Sequence, residues 1–313
     1  MFNFVNNLFN SWIINKVNYW AKTGENTDEC YKRGFLPVPV HFYQPIPDIK
    51  DLERRKIWEK VNKLHGIEFI PKKYLKTIKD FGTKYASECD WPNDPTNNPD
   101  DFYLNNSCFS YGCAAVLHCM IRKYKPHNII EIGSGNSSKI IRDAILLNEK
   151  DTKKPINYTI IDPYSNLNKK SFTKNTIIIK EKVEELDPKF FKILQKNDIL
   201  FIDSSHVSKI GSDVNFEILE VLPILNKGAF VHFHDVNLPF EYPKVYATNP
   251  KFRMFWTESY LLQAFLCCNK DYEIVLPMSY IQQKFDKEFR KAFPSSNKAI
   301  NYGSGSFWIR KVN

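Results

Sequence analysis

The chain has 313 residues, 43% of them hydrophobic, enough to bury a sizeable core as one large domain or as one domain with appendages. Its formal net charge of +9 admits an anionic partner, but the lysines stand among acids, as in Lys180-Glu181-Lys182, and build no basic stripe of the kind nucleic acid needs. Seven cysteines without CxxC spacing, several of them among apolar residues (Cys113, Cys119, Cys267, Cys268), argue against a disulfide scaffold and for reduced thiols in the cytoplasm.

Residues 1–20 are aromatic and apolar but broken by asparagines, with neither a basic leader nor a small-residue cleavage site, so no signal peptide is expected. No run of about 18 apolar residues occurs, and no transmembrane helix is expected. Val5, Leu8, Phe9, Trp12, Ile13, Val17 and Trp20 share one helical face. That face is expected to pack on the rest of the protein, with peripheral membrane contact as the alternative. Prolines at 37, 39, 45 and 47 forbid a helix interior and make residues 35–47 a stiff, extended strap. His41, Tyr43 and Gln44 project from it, either stapling it to the domain or covering a ligand. Helices are predicted at 48–64 and 71–86. A polar stretch at 90–106 then closes an N-terminal helical extension of residues 1–106.

Residues 107–313 alternate as a parallel α/β sheet demands. A helix at 109–124 feeds strands at 128–132, 157–162, 176–180, 198–203 and 228–234, with helices at 137–148, 183–194 and 212–225 between them. An aromatic helix at 256–268 and strands at 272–276 and 306–312 complete the pattern. Glu131-Ile132-Gly133-Ser134-Gly135-Asn136-Ser137-Ser138 reads as strand end, glycine-rich turn and helix start, a place where backbone can approach a ligand closely. The companion strands end in Asp162, in Asp203 and in His234-Asp235. Ligands of such sheets bind outside the carboxyl ends of the strands, where strand order reverses.

A dinucleotide fingerprint needs a third glycine where this chain has Ser138, and Glu131 entering the turn repels a pyrophosphate. A cationic ligand inverts that logic. S-adenosylmethionine carries an ammonium and a sulfonium that welcome Glu131, and a ribose that suits Asp162.

With Asp162-Pro163-Tyr164 and the 198–203 strand, the Glu131–Gly135 run resembles motifs I, II and IV of class I S-adenosylmethionine-dependent methyltransferases. Phe201-Ile202-Asp203-Ser204-Ser205-His206, His232-Phe233-His234-Asp235, Pro39-Val40-His41-Phe42-Tyr43 and Trp256-Thr257-Glu258-Ser259-Tyr260 are similar, more narrowly, to the bacterial branch grouped as methyltransferase family 24. The resemblance implies a Rossmann-like seven-stranded sheet with helices on both faces, its last strand antiparallel beside the fifth. It also implies that Gly133, Ser134 and Gly135, with Asn136 and Ser137 beside them, lie under the methionine end of the cofactor, and that Glu131 reaches its ammonium through water. Asp162 would grip the ribose, with Pro163 and Tyr164 against the adenine and Asp203 closing the set. Glu184 is either an adenine contact or an ordinary helix-start acid.

Asp203, His206, His234 and Asp235 form the acceptor side, as candidates to remove a hydroxyl proton. Alternatively Asp203, His234 and Asp235 hold a divalent metal, as in catechol-type O-methyltransferases. Val236 stands where that pattern has an asparagine ligand, so a metal-free base, with His206 ahead of His234, is the expectation. The expected function is O-methylation of a small or carbohydrate-like acceptor in a glycan or secondary-metabolite pathway. Two alternatives stay open: a nucleic-acid methyltransferase, although no Asn/Asp-Pro-Pro-aromatic motif follows the fourth strand, and a non-catalytic cofactor-binding partner.

Overall fold

Short β-branched runs that are buried on both faces make strands of a parallel sheet. All five residues of β1 (Asn128–Ile132) are buried, as are those of β4 (Ile199–Ile202) and β5 (Phe230–Phe233). The computed structural model describes residues 2–313, with side chains from residue 9 onward. The other strands are β2 (Asn157–Ile161), β3 (Thr176–Ile179), β6 (Tyr272–Pro277) and β7 (Phe307–Lys311), in the order β3-β2-β1-β4-β5-β7-β6. β1 to β5 pair parallel, and β7 lies antiparallel between β5 and β6. This is the seven-stranded arrangement expected from the sequence.

From β1 the chain steps to β2 through the helix Asn136–Thr152, and from β4 to β5, in the opposite direction along the sheet, through residues 213–224. Right-handed crossovers put those two connections on opposite faces and open a crevice where the order reverses, between β1 and β4. Three backbone bonds level the strand ends there: Gly133 N–H to Ile161 O at 3.0 Å, Asp203 N–H to Ile132 O at 2.9 Å and His234 N–H to Ile202 O at 2.9 Å.

Two units are distinguished, residues 60–242 with 256–313, which hold the sheet, and residues 1–59 with 243–255. Residues 60–106, expected in the N-terminal extension, group with the sheet-bearing unit. The cause is the helix Pro71–Tyr85, whose Tyr74, Ile78 and Phe81 fall on one face and are buried in the core of the sheet-bearing unit. Glu88, just after it, bonds Arg122 at 2.7 Å and His118 at 2.7 Å on the helix Tyr111–Tyr124. Burial works against the Glu88 carboxylate, yet His118 and Arg122 hold it down at about 2.

Three predicted helices differ. The one at 48–64 is Ile49–Arg54, capped by Asp48, followed only by a 3-10 turn, since Lys56 takes a left-handed backbone. The one at 183–194 is two 3-10 turns, Val183–Glu185 and Pro188–Ile193, because Asp187 is extended and accepts from Lys189 N–H. The one at 212–225 widens into a π-helical turn at Glu217–Val221.

In the smaller unit the helix Phe2–Thr23 forms, but the apolar face expected to pack is largely open: Trp12 is 63% exposed and Phe9 59%, with only Val17 and Trp20 half-buried. The side chains of Val5 and Leu8 lie outside the described residues. The strap at 35–47 has neither helix nor strand, as its prolines dictate, and exposes Phe42 and Tyr43, their rings tilted against His41. No helix among the described residues is long and apolar enough to cross a membrane.

Candidate functional site

The turn after β1 is fixed by one glycine. Gly133 has φ +78°, and a Cβ on it would come within 2.0 Å of the Asp203 carbonyl oxygen, so no other residue lets this turn close on the end of β4. Gly135, by contrast, faces open space at the start of the helix Asn136–Thr152.

Glu131 is fully buried behind the turn. Its carboxylate accepts from Ser137 Oγ at 2.7 Å, from Ser138 Oγ at 2.7 Å and from the Tyr158 hydroxyl. Burial pushes it up to about 7 against those three donors. It clamps strand to helix, and neither it nor Gly135, Asn136 or Ser137 lines the adjoining cleft.

That cleft, about 700 Å³, lies at the ends of β1, β2 and β4 and is lined by Gly133, Ser134, Asp162, Pro163, Tyr164, Glu184 and Asp203. The expected cofactor residues that converge on it are these seven. Asp162 accepts from Tyr164 N–H at 2.8 Å and from the Ser134 hydroxyl, which ties the end of β2 to the β1 turn. Sequence reasoning missed Lys182, Ser205, Lys209 and Asp213, which also line it. Its carboxylates (Asp162, Glu184, Asp203, Asp213) outnumber its lysines (Lys182, Lys209), a lining that favours a cation over a pyrophosphate.

Asp203 is shared with a second cluster. His206 Nε2 lies 3.3 Å from Asp203 Oδ1 and 3.8 Å from Asp235 Oδ2, and His206 Nδ1 lies 2.8 Å from Glu258 Oε2. His234 Nδ1 stands 3.4 Å from Asp203 and 3.4 Å from Asp235, its ring stacked on Phe109 at 5.1 Å. His206 and Asp235 both adopt left-handed backbone (φ +60° and +56°), a conformation that non-glycine residues take at a cost and that gathers at working sites. Burial alone would lower the His206 ring, but its bonds to Asp203 and Glu258 prevail and raise it to about 10. His234 is likewise raised, by Asp203 and Asp235 against burial. His232, buried against Phe201 and bonded to Ser306, is pushed down by burial and stays neutral.

The four acceptor-side residues thus meet, and Glu258, which the sequence offered only as part of an aromatic helix, joins them. Asp203, His206 and Asp235 each bring a donor atom within 4.8 Å of the others, a trio that replaces His234 of the expected metal set with His206. Val236, where a third oxygen ligand would be needed, is fully buried in the apolar core. The imidazoles, moreover, serve the two carboxylates as charge partners. With two carboxylates, one imidazole and no oxygen ligand at position 236, this set matches an oxygen-seeking divalent ion less well than the expected pattern.

An uncharacterized protein of Archaeoglobus fulgidus is 34% identical over 186 residues, covering 56% of this chain and 80% of its own length. A family model described as a methyltransferase domain matches residues 130–236, from within β1 to the residue after Asp235. The chain belongs to the class I S-adenosylmethionine-dependent methyltransferases. Two solved structures also resemble this methyltransferase, each at 15% identity. One is the SAH-bound Podospora anserina methyltransferase PaMTH1, with a TM-score of 0.39 over 84% of this chain and 95% of that one. The other is CmcI-N160 in its apo form, with a TM-score of 0.36 over 71% and 89%. At these scores neither likeness bears on activity. The methyltransferase's cofactor is S-adenosylmethionine, which supplies a methyl group on a sulfonium. The acid-rich cleft, with Gly133, Ser134 and Asp162 in its lining, suits its charge.

Proposed function

We propose that this methyltransferase methylates a hydroxyl of a small or carbohydrate-like acceptor, in a glycan or secondary-metabolite pathway, with His206 as the group that takes the hydroxyl proton. The observation that carries the proposal is the His206 imidazole, buried, with Nε2 3.3 Å from Asp203, the residue common to the cleft and the acceptor cluster. Methyl transfer is a displacement at a carbon already activated, so the protein has to align the acceptor and remove one proton. Asp203 and Asp235 accept hydrogen bonds and orient the acceptor. Their charge also makes His206 a stronger base once neutral and moves its working range to the alkaline side. The acceptor class itself is supported by the family resemblance.

Free thiols support a reducing, cytoplasmic setting; Cys113 and Cys119 are buried as core thiols, while Cys267 and Cys268, expected in the core from their apolar neighbours, are exposed. The exposed Trp12 and Phe9, on a helix with Lys16 and Lys22 and no acid, support peripheral contact with anionic membrane, which vesicle co-sedimentation checks.

The deciding experiment is a methyl-transfer assay over a panel of phenols, sugars, nucleosides and amines, run with and without EDTA. Transfer to hydroxyl acceptors that survives EDTA is expected. Transfer to amines alone, or activity lost in EDTA and restored by Mg²⁺, would overturn the proposal.

A further inference from the structure

We infer that Glu258 is the positioning residue of the acceptor-side histidine, holding the His206 ring so that Nε2, and not Nδ1, meets the acceptor; this rests on the reading of His206 as proton acceptor.

His206 sits in a loop, at a left-handed φ of +60°, and its own segment meets the ring only at Nε2, through Asp203 at 3.3 Å. The start of the helix Glu258–Leu266 holds the rest from 52 residues away. Thr257 N–H and Glu258 N–H both donate to the His206 carbonyl, at 2.9 and 3.1 Å. The next turn of the loop is held by the same segment, since Ser208 N–H donates to Thr257 Oγ1 at 2.7 Å. The Trp256 ring lies 4.4 Å from the imidazole and limits its rotation. Glu258 Oε2 then takes Nδ1 at 2.8 Å. With Nδ1 committed, Nε2 is the nitrogen left to face Asp203 at 3.3 Å and Asp235 at 3.8 Å.

A carboxylate in that position is costly to keep. Glu258 is 1% exposed, and its second oxygen, Oε1, has no hydrogen-bond partner among the described residues. Glu217, also fully buried, is a further acid in the same region and not a counter-charge. A glutamine of the same size would avoid the buried charge, so the glutamate is explained by what its charge does to the ring. When the acceptor oxygen forms its bond to the methyl carbon and the carbon–sulfur bond breaks, the hydroxyl proton passes to Nε2. The ring then carries a positive charge, and Glu258, bonded to Nδ1–H throughout, stabilises it and keeps the tautomer that leaves Nε2 receptive.

The test uses the full chain with Glu258→Gln, which keeps the size and removes the charge, and Glu258→Asp, which keeps the charge. Each is measured for S-adenosylmethionine affinity by calorimetry, for thermal midpoint, for kcat and KM, and for the His206 ring nitrogens in ¹⁵N-histidine spectra. At pH 10, where the wild-type ring is about half neutral, Glu258→Gln is expected to lower kcat by about 10²–10⁴-fold with KM and cofactor affinity nearly unchanged, and to alter the His206 nitrogen signals. Glu258→Asp should recover part of the rate. An unaltered ring signal, or a folded Glu258→Gln enzyme with wild-type kcat, overturns the inference. Should Glu258→Gln fail to fold, Glu258→Asp decides it: wild-type ring signals with a carboxylate one carbon shorter would show that Glu258 does not set the ring. A changed ring signal in a protein whose wild type methylates no hydroxyl acceptor would refute the hydroxyl-transfer reading while upholding the placement of the ring by Glu258.

Discussion

His234 stands with its Nδ1 3.4 Å from Asp203 and 3.4 Å from Asp235, one imidazole between the two carboxylates that close the ends of β4 and β5. His206 approaches Asp203 from another side at 3.3 Å, so Asp203 serves two rings at once. Burial opposes its charge, but His234 and His206 hold the carboxyl far below the usual carboxylate range. Asp203→Asn removes the one charge both rings share. We expect kcat to fall by about 10²-fold or more while the protein stays folded. An Asp203→Asn enzyme with wild-type turnover would remove this residue from the site.

The pH profile should have an alkaline limb. A ring raised to about 10 is cationic at neutrality and cannot accept a proton there. Its neutral fraction, and with it kcat/KM for the acceptor, should rise about tenfold per pH unit between pH 7 and 9. Profiles at saturating cofactor check this, and a flat line over that interval would assign the proton to another group.

Glu131 predicts a stability trend of unusual sign for a carboxylate. Its folded value of about 7 lies above the ordinary 4.5, so between those two the folded protein keeps a proton that the unfolded chain has released. Stability contributed by this group is complete below pH 4.5 and declines as pH rises to 7, by about 3 kcal/mol at about 1.4 per unit. Urea midpoints at pH 5 and pH 8 should separate wild type from Glu131→Gln, in which this decline disappears. Parallel behaviour of the two proteins would mean that Glu131 is ionised at both pH values.

Cofactor affinity should depend on Asp162. Its carboxylate lines the cleft and is held by Ser134 and by Tyr164 N–H. Asp162→Ala is expected to weaken S-adenosylmethionine binding by about 1–3 kcal/mol, the scale of a charge-assisted hydrogen-bond pair, while Ser134→Ala weakens it less. Isothermal titration of both variants checks the order, and an unchanged Asp162→Ala affinity would place the ribose elsewhere.

Much of the sheet could be read from the chain because each strand is a short isoleucine-, phenylalanine- or valine-rich run that ends in a turn or a polar residue. Asp203, His206, His234 and Asp235 stood out for the same reason, as chemistry at strand ends. Glu258 did not, since only tertiary packing brings it to a ring 52 positions earlier. Glu131 looked like a ligand contact because its type suits a cation, yet the donors that satisfy it are Ser137, Ser138 and Tyr158, and a pattern of residue types says nothing of which way a carboxylate turns. The 183–194 segment has helical spacing of apolar residues, but Asp187-Pro188 restarts the backbone in its middle.

Gly133 touches the Asp203 carbonyl with no room for even one carbon between them. That position is closed to any side chain: an alanine there would have to push β4 away from β1, displacing Asp203 from both of its histidines in the same movement. The turn after β1 and the end of β4 are therefore fixed as one piece. A change of acceptor has to come through side chains that leave this contact and His206 alone, and not by reshaping the strand ends.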